Sequence, residues 1–271
     1  MSNELNTQTL DTLCAALAYA IGIEPPEHAA APVPKLCALI DEKLGGKKAD
    51  RIVMYNPDAV AQWVYEKYPQ LFVEADAHAD IKIPFRVMMP SVTPVNFGTM
   101  YTGAMPAVHG IQKYAKPVIK IDTLFDALIR AGKKPVIIAN PKCSMGNIFL
   151  ERKMDYFLYQ TWDEVNAKAA QVLMEDQYDF VIIYNGNYDS RMHKTGPESM
   201  ESLAELRHNV RSFAMFSEMV KQFWGHHNTL VGFAMDHGCH EIDGGAGAHG
   251  LDMPEDLNVV HMYKVYPATE A

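Results

Sequence analysis

The amino-acid sequence predicts an α/β protein in which helices cover both faces of a largely parallel central sheet, with a helical appendage at the N-terminus. Two features lead to this prediction: the alternation of strand-like and helix-like segments, and the continuous apolar character of the strand-like ones. Short, continuous apolar runs alternate with longer segments of helical periodicity. Such runs are typical of strands buried on both faces, as in parallel sheets covered by helices. With 271 residues, 48% of them hydrophobic, the chain can bury one large core.

The N-terminal region is predicted to be a pair of helices. Residues 8–22 carry apolar side chains at helical spacing, a Glu-Pro-Pro sequence then breaks the pattern, and residues 35–44 resume it before two glycines. We therefore divide the chain into an appendage, residues 1–47, and a main domain, residues 48–271. The apolar faces of the two helices must be buried, either on the core or on a second subunit.

The remaining elements follow in strand and helix alternation. Strands are predicted at residues 51–55, 135–139, 179–184 and 229–234. Helices are predicted at residues 59–72, 121–131, 162–175 and 198–224. No internal repeat or low-complexity tract interrupts this order.

Charge and cysteine usage narrow the class of protein. The net charge of −9 and the pI near 5.6 argue against binding to a nucleic-acid polymer or an anionic membrane. The four cysteines are widely spaced, which favours reduced thiols in the cytoplasm over a disulfide framework. The most apolar early stretch, residues 13–23, lacks a basic leader and is too short to span a bilayer, so we expect neither an export signal nor a membrane anchor.

Metal-ligand residue types follow several predicted strands. In open α/β sheets, ligands bind beyond the carboxyl ends of the strands. The residues of this kind after the strands are Asp58, then Asp189 and His193 in a predicted loop, then Asp236 and His237, and finally His249 beyond a glycine-rich stretch. Carboxylates and imidazoles that converge in this way indicate a divalent metal centre. The alternatives are a helix-capping role for Asp58 and a plain loop position for His249.

The adjacent residues His226 and His227 belong to a different environment. They follow the long predicted helix and precede the last predicted strand. Histidines at a helix C-terminus are favoured by the negative end of the helix dipole. This position favours a solvated or dipole-facing role over metal ligation.

A further informative segment runs from Pro90 to Ile111. Thr93 lies directly before a predicted helix, where unpaired backbone N–H groups and the positive end of the dipole favour an anion. A hydroxyl at this point can also serve only as an N-cap. Composition leaves both roles open.

The order of residues in this segment resembles a known nucleophile motif. Pro90-Ser-Val-Thr93-Pro-Val-Asn96, Thr102-Gly103, Pro106 and His109-Gly110-Ile111 are similar to the motif of type I phosphodiesterases/nucleotide pyrophosphatases, in the alkaline-phosphatase superfamily. The resemblance implies an alkaline-phosphatase-like metallohydrolase domain over residues 48–271, with Thr93 as the nucleophile and a metal ligand. It also implies that Asn96 donates a hydrogen bond to a phosphate oxygen.

Three later blocks resemble the same family in the same order. They are Asp189-Ser-Arg-Met-His193-Lys-Thr-Gly196-Pro197, Asp236-His237-Gly238 and Gly247-Ala-His249-Gly250-Leu-Asp252. By this resemblance, one metal takes Asp189, His193 and His249, and the other takes Asp58, Thr93, Asp236 and His237. The chain departs from the family at Pro57-Asp58-Ala59, where the usual sequence is Val-Asp-Gly, so Asn56 is an alternative to Asp58. Met192 also replaces the usual glycine before His193.

The function implied by the resemblance is a metal-dependent phosphoesterase that cleaves a small phosphorylated molecule, with nucleotides among the candidates, through phospho-Thr93. Two divalent cations are expected, with zinc favoured over manganese. The alternatives are a phosphomutase of the same superfamily and a non-catalytic metal-binding relative. A homo-oligomer is compatible with the appendage. Phe97 and Tyr101 are candidates for substrate contact or for the core, and Lys113 and Lys116 for phosphate contact or for solvent.

Overall fold

The computed structural model describes residues 4–269. Its centre is a sheet of seven strands in the order β2-β9-β6-β1-β5-β3-β4, beside a two-stranded ribbon of β7 and β8. The strand bounds are β1 Arg51–Pro57, β2 Ile81–Arg86, β3 Pro135–Ala139, β4 Asp155–Leu158, β5 Phe180–Asn185, β6 Thr229–Phe233, β7 His240–Ile242, β8 Ala246–Ala248 and β9 Asn258–Tyr266.

Helices cover the sheet. Their bounds are α1 Thr12–Ile21, α2 Pro34–Leu44, α3 Gln62–Lys67, α4 Val73–Asp76, α5 Thr93–Thr102, α6 Pro106–His109, α7 Leu124–Arg130, α8 Met145–Ile148, α9 Trp162–Glu175, α10 Asn187–Thr195, α11 Met200–Phe223 and α12 Pro254–Leu257. A 3₁₀ turn at Pro69–Leu71 lies between α3 and α4.

The central strands are buried on both faces. Every residue of β3, β5 and β6 is buried, and β1 pairs in parallel with both β5 and β6. Antiparallel pairing occurs only where β9 joins β6 and β2 among the strands of this sheet that the structure describes. The predicted α/β class with a largely parallel sheet is confirmed. The carboxyl ends of β6, β1 and β5 consequently lie side by side at one edge.

The two N-terminal helices belong to the same hydrophobic core as the sheet. In α1, Leu13 and Leu17 are completely buried. The segment before α1 is joined to the end of β2, because the Leu10 N–H donates to the Arg86 carbonyl at 3.0 Å. The division of the chain at residue 47 remains a prediction.

Two prolines explain two of the departures of the structure from the expected elements. The helix predicted over residues 59–72 ends at Lys67, and Pro69 begins the 3₁₀ turn, because proline lacks the N–H that a continuing helix needs. Strand β2, which the apolar pattern did not predict, contains Pro84. Proline is tolerated in edge strands, and β2 is the edge of this sheet.

Two findings bear on the cellular setting. The four cysteines, Cys14, Cys37, Cys143 and Cys239, are all free. Within residues 4–269, no helix has both the length and the apolar character that a membrane crossing requires. The cytoplasmic location expected from the cysteine pattern remains a prediction.

Candidate active site

The predicted ligand residues meet beyond the carboxyl ends of three neighbouring strands. Asp58 follows β1, the Asp236-His237 pair follows β6, and α10 follows β5. Because adjacent strands lie about 4.8 Å apart, the residues that follow these three neighbouring strands lie close to one another. The predicted ligands form two groups there.

The first group consists of Asp189, His193 and His249. The sequence predicted a loop for Asp189 and His193, which is wrong, since both lie on α10, one helical turn apart. The Asp189 Oδ1 atom is 3.2 Å from His193 Nε2 and 3.4 Å from His249 Nε2. The two imidazole Nε2 atoms are 3.1 Å apart.

The second group consists of Asp58, Asp236 and His237, with the Thr93 hydroxyl beside it. The His237 Nε2 atom is 3.3 Å from Asp58 Oδ1 and 3.3 Å from Asp236 Oδ2. The Thr93 Oγ1 atom is 3.2 Å from His237 Nε2 and 3.5 Å from Asp58 Oδ2. The groups adjoin, since the ring centroids of His237 and His249 are 4.1 Å apart.

Thr93 does not cap its helix. It is the first residue of α5, the N-cap is Val92, and the N-cap makes no side-chain hydrogen bond. The Thr93 hydroxyl faces the carboxylates and His237 instead, in a residue that is only 5% exposed. Of the two roles that the sequence left open, the structure therefore disfavours the capping role.

Backbone carbonyls orient the three histidines in the same way. Each Nδ1 atom lies 2.9 Å from a carbonyl oxygen, that of Gly247 for His193, Gly238 for His237 and Ser91 for His249. A carbonyl only accepts, so each Nδ1 must donate its hydrogen. In the neutral rings, the Nε2 lone pairs then point into the cluster, which is the usual orientation of metal-binding histidines.

The carboxylates of the cluster have unsatisfied oxygens. Asp58 Oδ1, Asp189 Oδ1 and Asp236 Oδ2 are buried and have no hydrogen-bond partner in the structure. Buried carboxylate oxygens that face imidazole lone pairs are strongly unfavourable unless cations lie between them. Each of the two groups thus combines imidazole nitrogen with carboxylate oxygen, a set of ligands that fits a divalent cation.

The pKa values of these residues are shifted because the groups are buried and lie close to other charged groups. Burial, together with the charges of Asp236 and Asp189, raises the pKa of Asp58 well above its usual range. Burial raises the pKa of Asp236 to about 8 and lowers the pKa of His237 to about 4. The adjacent Asp189 carboxylate raises the pKa of His193 to about 9. Protons therefore offset part of the negative charge of the cluster whenever cations do not.

Tyr184, near the end of β5, is a site residue that sequence reasoning missed. Its hydroxyl donates a hydrogen bond to Asp58 Oδ2 and is buried. Gly186 leaves the room for it, because a Cβ atom there would lie 2.7 Å from the Tyr184 hydroxyl. A tyrosine inside an apolar strand run carries no signal of its own, so only the contact reveals this role.

The structure distinguishes Asp58 from Asn56. The Asn56 amide donates to the Ala234 carbonyl at 2.7 Å, and its oxygen accepts from the Tyr101 hydroxyl at 2.7 Å. Asn56 thus links β1 by hydrogen bonds to the end of β6 and to α5, while Asp58 lies in the cluster. Ala59 has a φ of 63°, which is a left-handed conformation that favours glycine. The turn after Asp58 is therefore one for which glycine is the natural residue.

The residues predicted to contact phosphate or substrate are more completely buried than such a role implies. Asn96 is completely buried, and its side chain accepts from the Met88 N–H at 2.7 Å and donates to the Met88 carbonyl at 3.3 Å. Phe97 and Tyr101 are also completely buried and stack on each other in the aromatic core. The structure therefore favours the core alternative for both rings. The role of Asn96 as a phosphate donor remains a prediction.

The two lysines that the sequence singled out differ in environment. The Lys116 ammonium donates to the Lys142 carbonyl at 2.6 Å, and Lys113 is exposed. Met192, which replaces a glycine of the motif, is completely buried and packs against Gly247, where a Cβ atom would lie 2.5 Å from the Met192 sulfur. The substitution is thus accommodated by a neighbouring glycine.

The fold of the chain is similar to that of proteins of known structure. No family model matches the sequence, and no curated protein matches it. Among solved structures, the chain is similar to murine ectonucleotide pyrophosphatase/phosphodiesterase 5, both in an inactive threonine-to-alanine form in complex with AMP (TM-score 0.58) and in a second structure (TM-score 0.55). It is also similar to the human protein of the same name (TM-score 0.55).

The chain has the fold of these phosphodiesterases. The matches cover 71–72% of this chain at 14–16% sequence identity. The chain spans 58–59% of the length of the matched proteins. The fold that the motifs predicted is thereby confirmed, and the cluster lies beyond the carboxyl ends of the strands, where ligands bind in open α/β sheets.

Proposed function

We propose that the protein is a metal-dependent phosphoesterase that cleaves a small phosphorylated substrate, with Thr93 as the nucleophile. The observation that carries this proposal is the position of the Thr93 hydroxyl. It is buried at the start of α5, caps nothing, and lies 3.2 Å from His237 Nε2 and 3.5 Å from Asp58 Oδ2. The positive end of a helix dipole at this point favours a bound anion such as a phosphate.

The structural neighbours support the choice of chemistry. One neighbour is a phosphodiesterase that was inactive after a threonine was replaced by alanine and that bound AMP. We propose that Thr93 is the corresponding residue here and that a nucleotide is a candidate substrate. Since the identity is 16%, this comparison supports the proposal through the shared fold.

Divalent cations would be held by two sets of ligands. We assign Asp189, His193 and His249 to one set, and Asp58, Thr93, Asp236 and His237 to the other. Mixed imidazole and carboxylate ligation suits zinc, with manganese as the alternative. When bound, the cations supply positive charge that favours the alkoxide form of the nucleophile and offsets the charge of the phosphate.

The residues of the chain then perform a two-step transfer. The Thr93 oxygen attacks phosphorus, and the bond to the leaving oxygen breaks as the new bond forms. The proton that the hydroxyl loses balances the one that the leaving oxygen gains. Water then attacks phospho-Thr93, releases the phosphoryl product and restores the hydroxyl. Tyr184 keeps Asp58 in position through its hydrogen bond.

A substrate-panel assay of the metal-reconstituted protein tests the proposal. The panel contains p-nitrophenyl phosphate, bis-p-nitrophenyl phosphate and nucleotides. We expect turnover of at least one class, loss of nearly all of it in Thr93→Ala, and measurable activity in Thr93→Ser because the hydroxyl is preserved. Thr7→Ala, at an exposed threonine, is the control and is expected to match the wild type. A folded, metal-loaded Thr93→Ala protein with wild-type turnover would overturn the proposal.

A further inference from the structure

A second cluster of histidines and a carboxylate lies away from the candidate active site. His226 and His227 occupy the turn between α11 and β6, and Asp176 directly follows α9. The Asp176 Oδ2 atom is 3.2 Å from His226 Nε2 and 2.9 Å from His227 Nε2. Two adjacent histidines thus direct the same ring nitrogen to one carboxylate oxygen, and their ring centroids are 4.0 Å apart.

This cluster lies at the amino edge of the sheet, opposite the candidate active site. His227 lies two residues before the start of β6, and Arg51, the first residue of β1, is 3.2 Å from Asp176. Asp58 follows the other end of β1. A strand of this length rises about 3.3 Å per residue, which separates the two clusters by roughly 20 Å. Neither cluster can therefore share an ion with the other.

We propose that Asp176, His226 and His227 form a separate binding site for a zinc-class divalent cation. Two imidazole nitrogens and a carboxylate oxygen are the ligands that zinc and its neighbours in the periodic table prefer. Atoms that ligate one tetrahedral zinc ion are roughly 3.3–3.6 Å apart. The observed separations of 2.9 and 3.2 Å need to widen by only a few tenths of an ångström to admit the ion.

The surroundings hold the carboxylate in position for this role. The Arg51 Nε atom lies 3.2 Å from Asp176 Oδ1, which leaves Oδ2 for the histidines. Asp176 adopts a left-handed backbone conformation with a φ of 47°, which is uncommon for a residue other than glycine. An outer partner such as Arg51 fixes the orientation of a metal ligand.

Charge and access also suit a cation. Arg51 forms an ion pair with Asp179 as well as with Asp176, so the two carboxylates outweigh the one guanidinium. The Asp176 and His227 side chains are 24% and 18% exposed, whereas His226 is 62% exposed. The cluster is therefore shielded on one side and open on the other, where an ion enters and water completes its coordination.

A bound ion at this point would join two segments of the chain. It would link the end of α9 to the turn before β6, beside the start of β1. The proposal is independent of the phosphoesterase activity, because none of these residues belongs to the candidate active site. It also reverses the expectation from the sequence, which favoured a solvated role for His226 and His227.

Equilibrium dialysis of the chelator-treated full-length protein against zinc tests the proposal. Bound zinc is counted by elemental analysis in the wild type, in the double variant His226→Gln/His227→Gln, and in His28→Gln, a control at an exposed histidine outside both clusters. We expect the double variant to bind one zinc ion fewer per chain than the wild type and the control. We expect its phosphoesterase turnover to be unchanged. Equal stoichiometry in all three proteins would overturn the proposal.

A crystallographic measurement on the wild-type protein tests the proposal without depending on whether a variant folds. In crystals soaked with zinc, we expect an anomalous difference peak between Asp176 Oδ2 and the two Nε2 atoms. If the cluster is only hydrogen-bonded, with both imidazoles donating to Oδ2, saturating zinc will leave this position without a peak. That result would overturn the proposal whatever the active site binds.

Discussion

At the scale of single residues, the candidate site depends on how side chains are oriented as much as on which residues are present. The Nδ1 atom of each of the three histidines donates to a backbone carbonyl, and Tyr184 donates to Asp58. These outer contacts align the atoms that face the centre of the cluster. Partners of this kind typically change metal affinity or activity by about 10–100-fold when they are removed.

The substitution Tyr184→Phe tests this orienting role. It removes only the hydroxyl that donates to Asp58, and the ring still fills the space beside Phe97 and Trp162. We expect the protein to fold and to lose metal affinity by about 10–100-fold, with a matching loss of turnover. Metal titration of the apoprotein measures the first quantity. Wild-type affinity in the variant would show that Asp58 needs no such partner.

Residue identity predicted the composition of the cluster but not all of its contacts. Asp58 and Asp236 were recognisable because each follows a buried apolar strand and several such strands end in ligand-type residues, although a capping role for Asp58 stayed open. The contacts of Tyr184 with Asp58 and of Asn96 with the Met88 backbone were not predicted, because they depend on how separate segments pack. Phe97 and Tyr101 could be interpreted either as ligand surface or as core until their burial was known.

At the scale of elements, the position of each loop depends on close backbone approaches. Gly238, in the Asp236-His237-Gly238 turn, contacts α12 so closely that a Cβ atom would lie 2.0 Å from the Glu255 carbonyl oxygen. The Gly238 N–H also donates to the Asp256 carbonyl at 2.8 Å. This contact sets the turn that carries His237.

The substitution Gly238→Ala is predicted to disrupt this turn. A backbone carbonyl has little room to move, so we expect overpacking to lower the free energy of unfolding by about 1–3 kcal/mol. Since the displaced turn carries His237, metal affinity should fall as well. Chemical denaturation and metal titration measure the two effects. A variant with unchanged values of both would contradict this account of the turn.

Elements with a strong periodic signal were predicted from the sequence, and others were not. The strand at 135–139 and the helix at 162–175 coincide with β3 and α9. Strand β2 was missed because Pro84 weakens its pattern, and β9 was missed because His261 and Lys264 interrupt its apolar run. Helix α10 was taken for a loop because polar residues dominate it, and its helical form depends on packing against α11 and β8.

At the scale of the whole molecule, the N-terminal helices contribute to the stability of the sheet domain. A fully buried leucine contributes about 1.5–3 kcal/mol, and a domain has only about 5–15 kcal/mol of net stability. We therefore expect deletion of residues 1–47 to prevent stable folding. The single change Leu13→Ala, at a completely buried position, should cost about 2–5 kcal/mol.

Thermal and chemical denaturation measure these losses. Leu5→Ala is the matched control, because Leu5 is 38% exposed, and it should change stability little. A truncated protein with an unchanged melting temperature, mass and activity would show that the appendage is dispensable. It would also support the division of the chain at residue 47.

The stability of the molecule should fall in acid partly because of buried neutral histidines. Burial lowers the pKa of His109 from 6.5 to about 4. A histidine whose pKa is lower in the folded state stabilises the fold above pH 6.5, and this contribution is lost as the pH falls towards 4. The ring packs against Gly98 and its Nε2 atom lies 3.1 Å from the Thr99 hydroxyl.

The substitution His109→Gln should flatten this part of the pH profile. We expect the free energy of unfolding of the variant to change less between pH 6.5 and pH 4 than that of the wild type, because the group that takes up a proton on unfolding is gone. Urea denaturation at several pH values measures the slope. His28→Gln, at an exposed histidine, should keep the slope of the wild type, and an equally steep slope in His109→Gln would contradict the prediction.

The central claim is that Thr93 carries the phosphoryl group during turnover. Its most direct test is acid quenching of the metal-loaded protein while it turns over a substrate found in the panel, followed by mass spectrometry of the peptide that contains Thr93. We expect a phosphoryl group on Thr93 in the wild type and on the serine hydroxyl of the Thr93→Ser protein, and none on this peptide in the Thr93→Ala protein. Turnover with no phosphoryl group trapped on Thr93, together with full activity of the Thr93→Ala protein, would contradict it.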